Sequence, residues 1–188
     1  MNDRIMKIIN DLKSSIDEAV RHREIWWELG CSKNRAEFKH EFASIDYNHF
    51  LHASYEAHAV TMFLSLGRIF DNDTRTSSFR SLKYNLKESG HAQISTLIET
   101  QLKPHEKSVQ KILDIRSRTI AHADTSYTER AILLDNPISH DEIKALILDT
   151  RATFYNVLNY FHLNTKQLAD EIYSEATINV LRQLKPNK

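Results

Sequence analysis

The sequence is poor in the residues that interrupt or crosslink a chain. Among its 188 residues are three glycines, three prolines and one cysteine, Cys31. Since glycine and proline mark turns, their scarcity argues against a β-rich fold with many tight connections and favours long helices. A single cysteine excludes an intramolecular disulfide and suits a reducing compartment. We therefore expect an all-α protein of the cytoplasm.

Net charge and long apolar runs are also lacking. Lys and Arg total 25, Asp and Glu total 25, and the formal net charge is zero. No global field attracts the chain to nucleic acid or to anionic lipid, so any RNA contact must come from a local patch. The longest apolar neighbourhood, AVTMFLSLG, is about half of the ~20 residues that a membrane-spanning helix needs. The opening MNDRIMKIIN carries polar residues where a signal peptide is apolar, so we expect neither export nor a membrane span.

What the sequence does contain is apolar residues at helical spacing. The pattern predicts helices at about 3–29, 44–70, 79–87, 92–101, from 104 into the stretch 115–124, 139–163 and 165–184. SHDE at 139–142 has the spacing of a capping box. We interpret CSKNRAEFKHEF at 31–42 as polar surface and 125–137 as a loop. Without a repeat or a linker, the chain is expected to form one domain over 1–188, an up-and-down bundle with long antiparallel helices.

The stretch IRSRTIAHAD at 115–124 is the one that could carry chemistry. A guanidinium offers a planar fork to phosphate oxygens, and an imidazole exchanges protons near neutral pH. At 100° per residue, Arg116 and His122 lie about 120° apart around a regular helix and do not share a face. Arg118 and His122 are four apart and do. Arg116 and His122 could therefore meet only if the helix frays before His122 or if a second subunit completes the site.

Arg116 and His122, with five residues between them, resemble the signature of HEPN domains, an all-helical superfamily in which four to six residues separate the arginine from the histidine. AHAD at 121–124 and SLGRIFDND at 65–73 extend the likeness to the abortive-infection type, over about 46–161. The resemblance implies a metal-independent ribonuclease without a cofactor. In it, His122 is a general acid or base at the ribose 2′-hydroxyl and Arg116 stabilises charge on the phosphate. The catalytic pair would be composite, shared across a homodimer.

The same resemblance implies a toxin-like role in prokaryotic phage defence or stress response, with RNA as substrate and a possible cognate antitoxin. Arg118 and Ser117 are the candidate phosphate or RNA contacts. Ser117 departs from active members, which more often carry Asn, Asp or His at that position. Asp124 is expected to orient the imidazole, and Arg68 is expected to pair with a carboxylate such as Asp71 at helical spacing and tie down the helix end.

Other interpretations stay open from the sequence alone. The cations of 115–124 could simply complement a helix C-terminus, and Arg35 and His40 satisfy the same motif spacing in a region without other signals. The bundle could also be a catalytically inactive HEPN-like module that binds RNA, a nucleotide or another protein. A purely structural interaction protein is the third alternative.

No metal site is predicted. His49, His52 and His58 share one predicted helix, but no thiolate or carboxylate lies at a matching ligand position. DND at 71–73 could begin a calcium loop, but an EF-hand needs Gly and Glu where this chain has Thr76 and Leu82.

Overall fold

The computed structural model describes residues 2–121, 137–163 and 171–185, and every regular element in these ranges is helical. The helices are α1 (Asp3–Gly30), α2 (Ser32–Glu37), α3 (Lys39–Ala43), α4 (Asn48–Ile69), α5 (Phe79–Glu88), α6 (Ala92–Leu102), α7 (Glu106–Ala121), α8 (His140–Tyr160) and α9 (Ile172–Gln183), with a 3-10 turn at Lys103–His105 before α7. The all-α fold is confirmed. Across these ranges, no helix has both the length and the apolar character that crossing a bilayer requires.

The long helices begin and end close to where the apolar pattern places them. Gly30 closes α1, and the capping box opens α8 as expected. The Ser139 hydroxyl accepts from the backbone N–H of Glu142 at 3.1 Å, and the Glu142 carboxylate accepts from the backbone N–H of Ser139 at 2.7 Å. That backbone bond, with a second bond from Lys111, lowers the pKa of Glu142. Of the last predicted helix, the part before residue 171 lies outside the described residues.

Residues 31–42 differ from the expected polar surface, because they form α2 and α3. Phe38 between these helices is fully buried and belongs to an apolar cluster with Leu29, Leu51 and Leu181. The guanidinium of Arg35 lies 4.1 Å from the ring centre of Phe42, a cation–π contact. Helices of one or two turns are too short to show an apolar period, so the pattern missed them. In the reverse sense, Phe50 and Ile172 are exposed, although each is an apolar residue at helical spacing within the predicted helices 44–70 and 165–184.

The chain divides into two units, one of residues 1–17 and 63–166, the other of 18–62 and 167–188. In unit 1, α6 packs against both α5 and α8, and α7 also contacts α8. The unit's core is made of fully buried aliphatic side chains: Ile5, Ile8, Leu12, Leu66, Leu82, Ile98, Ile112, Ile143 and Leu146. Unit 2 is built around the Phe38 cluster. The single domain expected from the sequence stays a prediction.

Unit 2 contains a buried carboxylate that caps a helix from outside. Glu24 on α1 is 3 % exposed and accepts backbone N–H bonds from Glu171, Tyr173 and Ser174 at 3.2, 2.9 and 3.3 Å. Residue 171 precedes α9 in a left-handed conformation, with φ of 66°, and its own side chain makes no capping bond. The first N–H groups of a helix have no partner within the helix. Glu24 therefore supplies the acceptor, and its negative charge complements the helix dipole.

Two histidines join α1 to α4 within unit 2. The Nδ1 atoms of His22 and His58 lie 2.7 Å apart, and the ring centres are 4.8 Å apart. At this distance one imidazole donates and the other accepts, so at least one ring must be neutral. Burial lowers the pKa of both rings below the ordinary value of 6.5.

Candidate functional site

Arg116 does not simply cap its own helix. Its side chain is 29 % exposed, and its Nη1 donates to the backbone carbonyl of Gly67 at 3.1 Å and to Oδ2 of Asp71 at 2.8 Å. Both acceptors lie at the end of α4 or just beyond it, in the same unit as α7. Two charge-assisted bonds fix the direction of the guanidinium. For Arg116, a cation that merely complements the α7 dipole would make neither bond, so that interpretation is not supported.

Gly67 makes room for this arginine. A Cβ added at residue 67 would collide with Cδ of Arg116 and would lie 3.2 Å from Cγ and 3.3 Å from Cβ of the same side chain. Gly67 lies inside the last turn of α4, where alanine would otherwise be the better helix former. The glycine is therefore needed because the stem of Arg116 crosses directly over the α4 backbone.

Asp71 is itself held in place by the turn that follows α4. Its Oδ1 accepts from the backbone N–H of Asp73 at 2.9 Å, while its Oδ2 binds Arg116. The next carboxylate, Asp73, binds the side chain and backbone of Arg75, which lowers the pKa of Asp73 to about 2. Asp71 thus presents one oxygen to the turn and the other to the arginine. The predicted pairing of Arg68 with Asp71 stays a prediction, since the ion pair described for Asp71 is with Arg116.

The other predicted site residues are only partly described. Ser117 is exposed on α7, and Arg118 lies in the same helix. His122 and Asp124 lie outside the described residues, so their predicted roles stay predictions. α7 continues to Ala121, which means that the helix does not fray anywhere between Arg116 and the residue before His122.

The described histidines do not assemble a metal centre. His52 pairs with Glu56 at 3.3 Å, and His58 pairs with His22. Within the described ranges, no group of three or more His, Cys, Asp or Glu side chains could hold a metal ion.

A groove lies on the same unit, next to the Arg116–Asp71 pair. It has a volume of about 420 Å³ and is lined by residues that follow α4, by α5 and α6, and by α7. Asn72, which follows Asp71, and Leu113, one turn before Arg116, both line it. Sequence reasoning missed this groove and missed Gly67. An isolated glycine in an apolar helical pattern was the available signal for a close approach, whereas groove residues drawn from several separate segments carry no common motif.

Two comparisons with known proteins found nothing, and a third found a family. The family model described as AbiU2, of the HEPN type, matches residues 6–175. No curated protein and no solved structure matches the chain.

Proposed function

The chain belongs to the AbiU2 family of HEPN domains, and on that premise we propose that it is a toxin-like, metal-independent endoribonuclease with a composite Arg116–His122 site. Family membership shows a domain of the abortive-infection or ribonuclease type and no more specific activity.

The geometry of Arg116 is the observation that carries the proposal. Both bonds described for its guanidinium are donated by Nη1, to Gly67 and Asp71. Nη1 has two hydrogens, and these two acceptors use both. The edge formed by Nε and Nη2 is the one that would take two phosphate oxygens in a bidentate contact. A guanidinium held from one side in this way is preorganised for charge that develops at phosphorus.

The second catalytic group is His122. Helix α7 is intact to Ala121, so a site within one chain would need a sharp change of direction at a single residue. A partner subunit avoids that requirement, because a twofold axis places the arginine of one copy beside the histidine of the other. The uninterrupted helix therefore supports the composite site over the fraying alternative.

The reaction that these groups fit is transesterification. A histidine base removes the proton of the ribose 2′-hydroxyl, and the 2′-oxygen attacks the adjacent phosphorus. The bond from phosphorus to the 5′-oxygen breaks, and that oxygen takes a proton from an acid. The products are a 2′,3′-cyclic phosphate and a 5′-hydroxyl. The nucleophile belongs to the substrate, so the reaction needs no metal-bound water.

The test is cleavage of single-stranded RNA in EDTA. The full-length protein should cut RNA, leave 2′,3′-cyclic phosphate ends and spare DNA, which lacks the nucleophile. His122→Ala should lower the cleavage rate by ~10²-fold or more, which is the usual scale for losing a general acid or base. Arg116→Ala should cause a loss of similar size by removing stabilisation at phosphorus. The rates are read from end-labelled oligonucleotides on denaturing gels.

The chain offers a matched control in the second copy of the motif spacing. His40→Ala changes an exposed residue, and Arg35→Ala removes a stacking contact with Phe42. Neither change should alter cleavage, although Arg35→Ala should lower the melting temperature slightly. If the purified protein binds RNA but never cuts it, the chain is a binding module. If His122→Ala lowers only the melting temperature, the catalytic role is refuted.

A further inference from the structure

The groove beside Arg116 has a floor and a rim of different chemistry. Half-buried Leu102, Val109 and Leu113 form apolar parts of its surface. Its volume of about 420 Å³ lies in the range of sites that hold small organic molecules. An apolar surface of this size suits a flat ring such as a nucleobase.

The rim carries cations that the described residues do not fully neutralise. Arg80 donates to the amide oxygen of Asn72 at 3.3 Å, and no carboxylate among the described residues pairs with Arg80 or with Lys103. Lys83 reaches Glu99 only at 4.0 Å. The groove is lined by three cations, Arg80, Lys83 and Lys103, and by two carboxylates, Glu99 and Glu106, so its formal charge is +1. In a chain whose net charge is zero, this local excess favours an anionic ligand.

The groove lies beside the proposed site, although Arg116 and Asp71 are not part of its lining. Leu113 and Arg116 are three residues apart on α7, which corresponds to roughly 4.5 Å along the helix axis. On the α4 side, Asn72 follows directly after Asp71. An RNA strand with one phosphate bound to Arg116 would therefore place the neighbouring nucleotide at the mouth of the groove.

We propose that the groove binds one nucleotide of the RNA next to the phosphate held by Arg116. Its base lies against Leu102, Val109 and Leu113, and its phosphate is bound by Arg80 and Lys103. This inference rests on the proposed function for the choice of RNA. The groove adds a subsite outside the Arg–His motif that would set which nucleotide flanks the cleaved bond.

The experiment measures binding without cleavage. The probe is a fluorescein-labelled single-stranded RNA with 2′-O-methyl groups on every ribose, which removes the nucleophile, and affinity is read by anisotropy with the full-length protein. Arg80→Glu/Lys103→Glu should weaken binding by about tenfold or more and reduce the slope of log affinity against log salt by about one to two, since phosphate contacts release counterions. Leu102→Ala should weaken binding with an unchanged salt slope.

The control is Lys87→Glu/Lys144→Glu, which makes the same change of charge at two exposed positions of unit 1 outside the groove. Its affinity should stay within about twofold of the wild-type value, as expected for a surface change that removes no phosphate contact. Equal losses in the control and the groove variant would overturn the subsite, because the effect would then be one of net charge alone. Circular dichroism checks that each variant is folded, and the single changes Arg80→Gln and Lys103→Gln repeat the test with smaller perturbations.

The outcomes separate this proposal from the nuclease proposal. If the wild-type protein cuts RNA and the groove variant binds the methylated probe normally, the subsite is wrong and the nuclease stands. If the wild-type protein does not cut RNA but the groove variant still loses binding relative to its control, the subsite stands and the nuclease fails. The groove variant could also change the molecular mass in solution while RNA binding stays unchanged. That result would show that the groove contacts a second copy of the protein and not RNA, and it would overturn the subsite.

Discussion

At the scale of single residues, Gly67 and Arg116 form a pair that a thermodynamic cycle can test. Alanine at 67 should collide with the arginine side chain and lower the free energy of unfolding by about 1–3 kcal/mol, as overpacking does. In an Arg116→Ala background Cγ and Cδ are removed, and only Cβ of residue 116 remains close, at 3.3 Å. There Gly67→Ala should raise the free energy of unfolding by roughly 0.5–1 kcal/mol, because alanine is the better residue inside a helix.

Urea unfolding of the wild type, both single variants and the double variant gives this cycle. Cleavage provides the second readout, since Gly67→Ala should reduce RNA cleavage by displacing Arg116 while leaving His122 unchanged. The same sign for Gly67→Ala in both backgrounds would mean that residue 67 does not act through Arg116.

Residue 71 shows why the partner of Arg116 was not predictable from local spacing. Arg68 and Asp71 are three apart at the end of the predicted helix 44–70, so the rule for neighbouring turns favours that pair. The structure pairs Asp71 with Arg116, 45 residues away. The motif arginine could be found from its spacing to histidine, but its acceptors depend on how α7 packs over the end of α4. Neither segment contains that information by itself.

At the scale of elements, the contact between α1 and α4 in unit 2 should depend on pH. The folded state holds His22 and His58 at lowered pKa values, while the unfolded chain has the ordinary value of 6.5. The unfolded state therefore binds more protons as the pH falls below 6.5, and the free energy of unfolding decreases. Burial is the main cause for both rings, and it outweighs the opposing charge of Glu18 near His22.

Urea unfolding at about pH 7.5 and about pH 5.5, on either side of the ordinary histidine value, measures this effect. The loss of stability at the lower pH should be smaller in His58→Gln than in the wild type. His52→Gln, a change at an exposed histidine on the same helix, should keep the wild-type loss. Equal losses in all three proteins would show that the pair does not control the titration.

The bounds of the long helices could be predicted from the sequence, whereas the short helices could not be found. Over 28 residues of α1 or 21 of α8, the apolar period repeats many times, and terminal signals such as Gly30 or the Ser139 capping box add to it. The six residues of α2 and the five of α3 contain at most two turns, so no period is visible. Phe38 is buried there by tertiary contacts with Leu51 and Leu181, which lie far away in the sequence.

At the scale of the whole molecule, the composite site predicts a homodimer. The mass in solution, measured by light scattering after gel filtration, should be twice 21.9 kDa. Complementation is the sharper measurement. Arg116→Ala and His122→Ala are each expected to be inactive, but when the two chains are co-expressed, about half of the dimers are mixed, and each mixed dimer contains one intact site out of two.

Co-expression should therefore restore about a quarter of the wild-type cleavage activity, by the symmetry of a twofold dimer. A site within one chain would give no restoration, because each chain then lacks one of the two groups. A strict monomer at tens of micromolar would also exclude the composite arrangement.

The cap that Glu24 places on α9 has a consequence for the order in which the chain is made. Glu24 and its partner Tyr173 are 149 residues apart, so the carboxylate leaves the ribosome long before its three N–H partners are synthesised. Until then it must stay in water, because burying an unpaired carboxylate is costly. The first segment of unit 2 therefore cannot complete its native packing cotranslationally. For a proposed toxin, this topology means that unit 2 cannot reach its native fold before residue 174 has been synthesised.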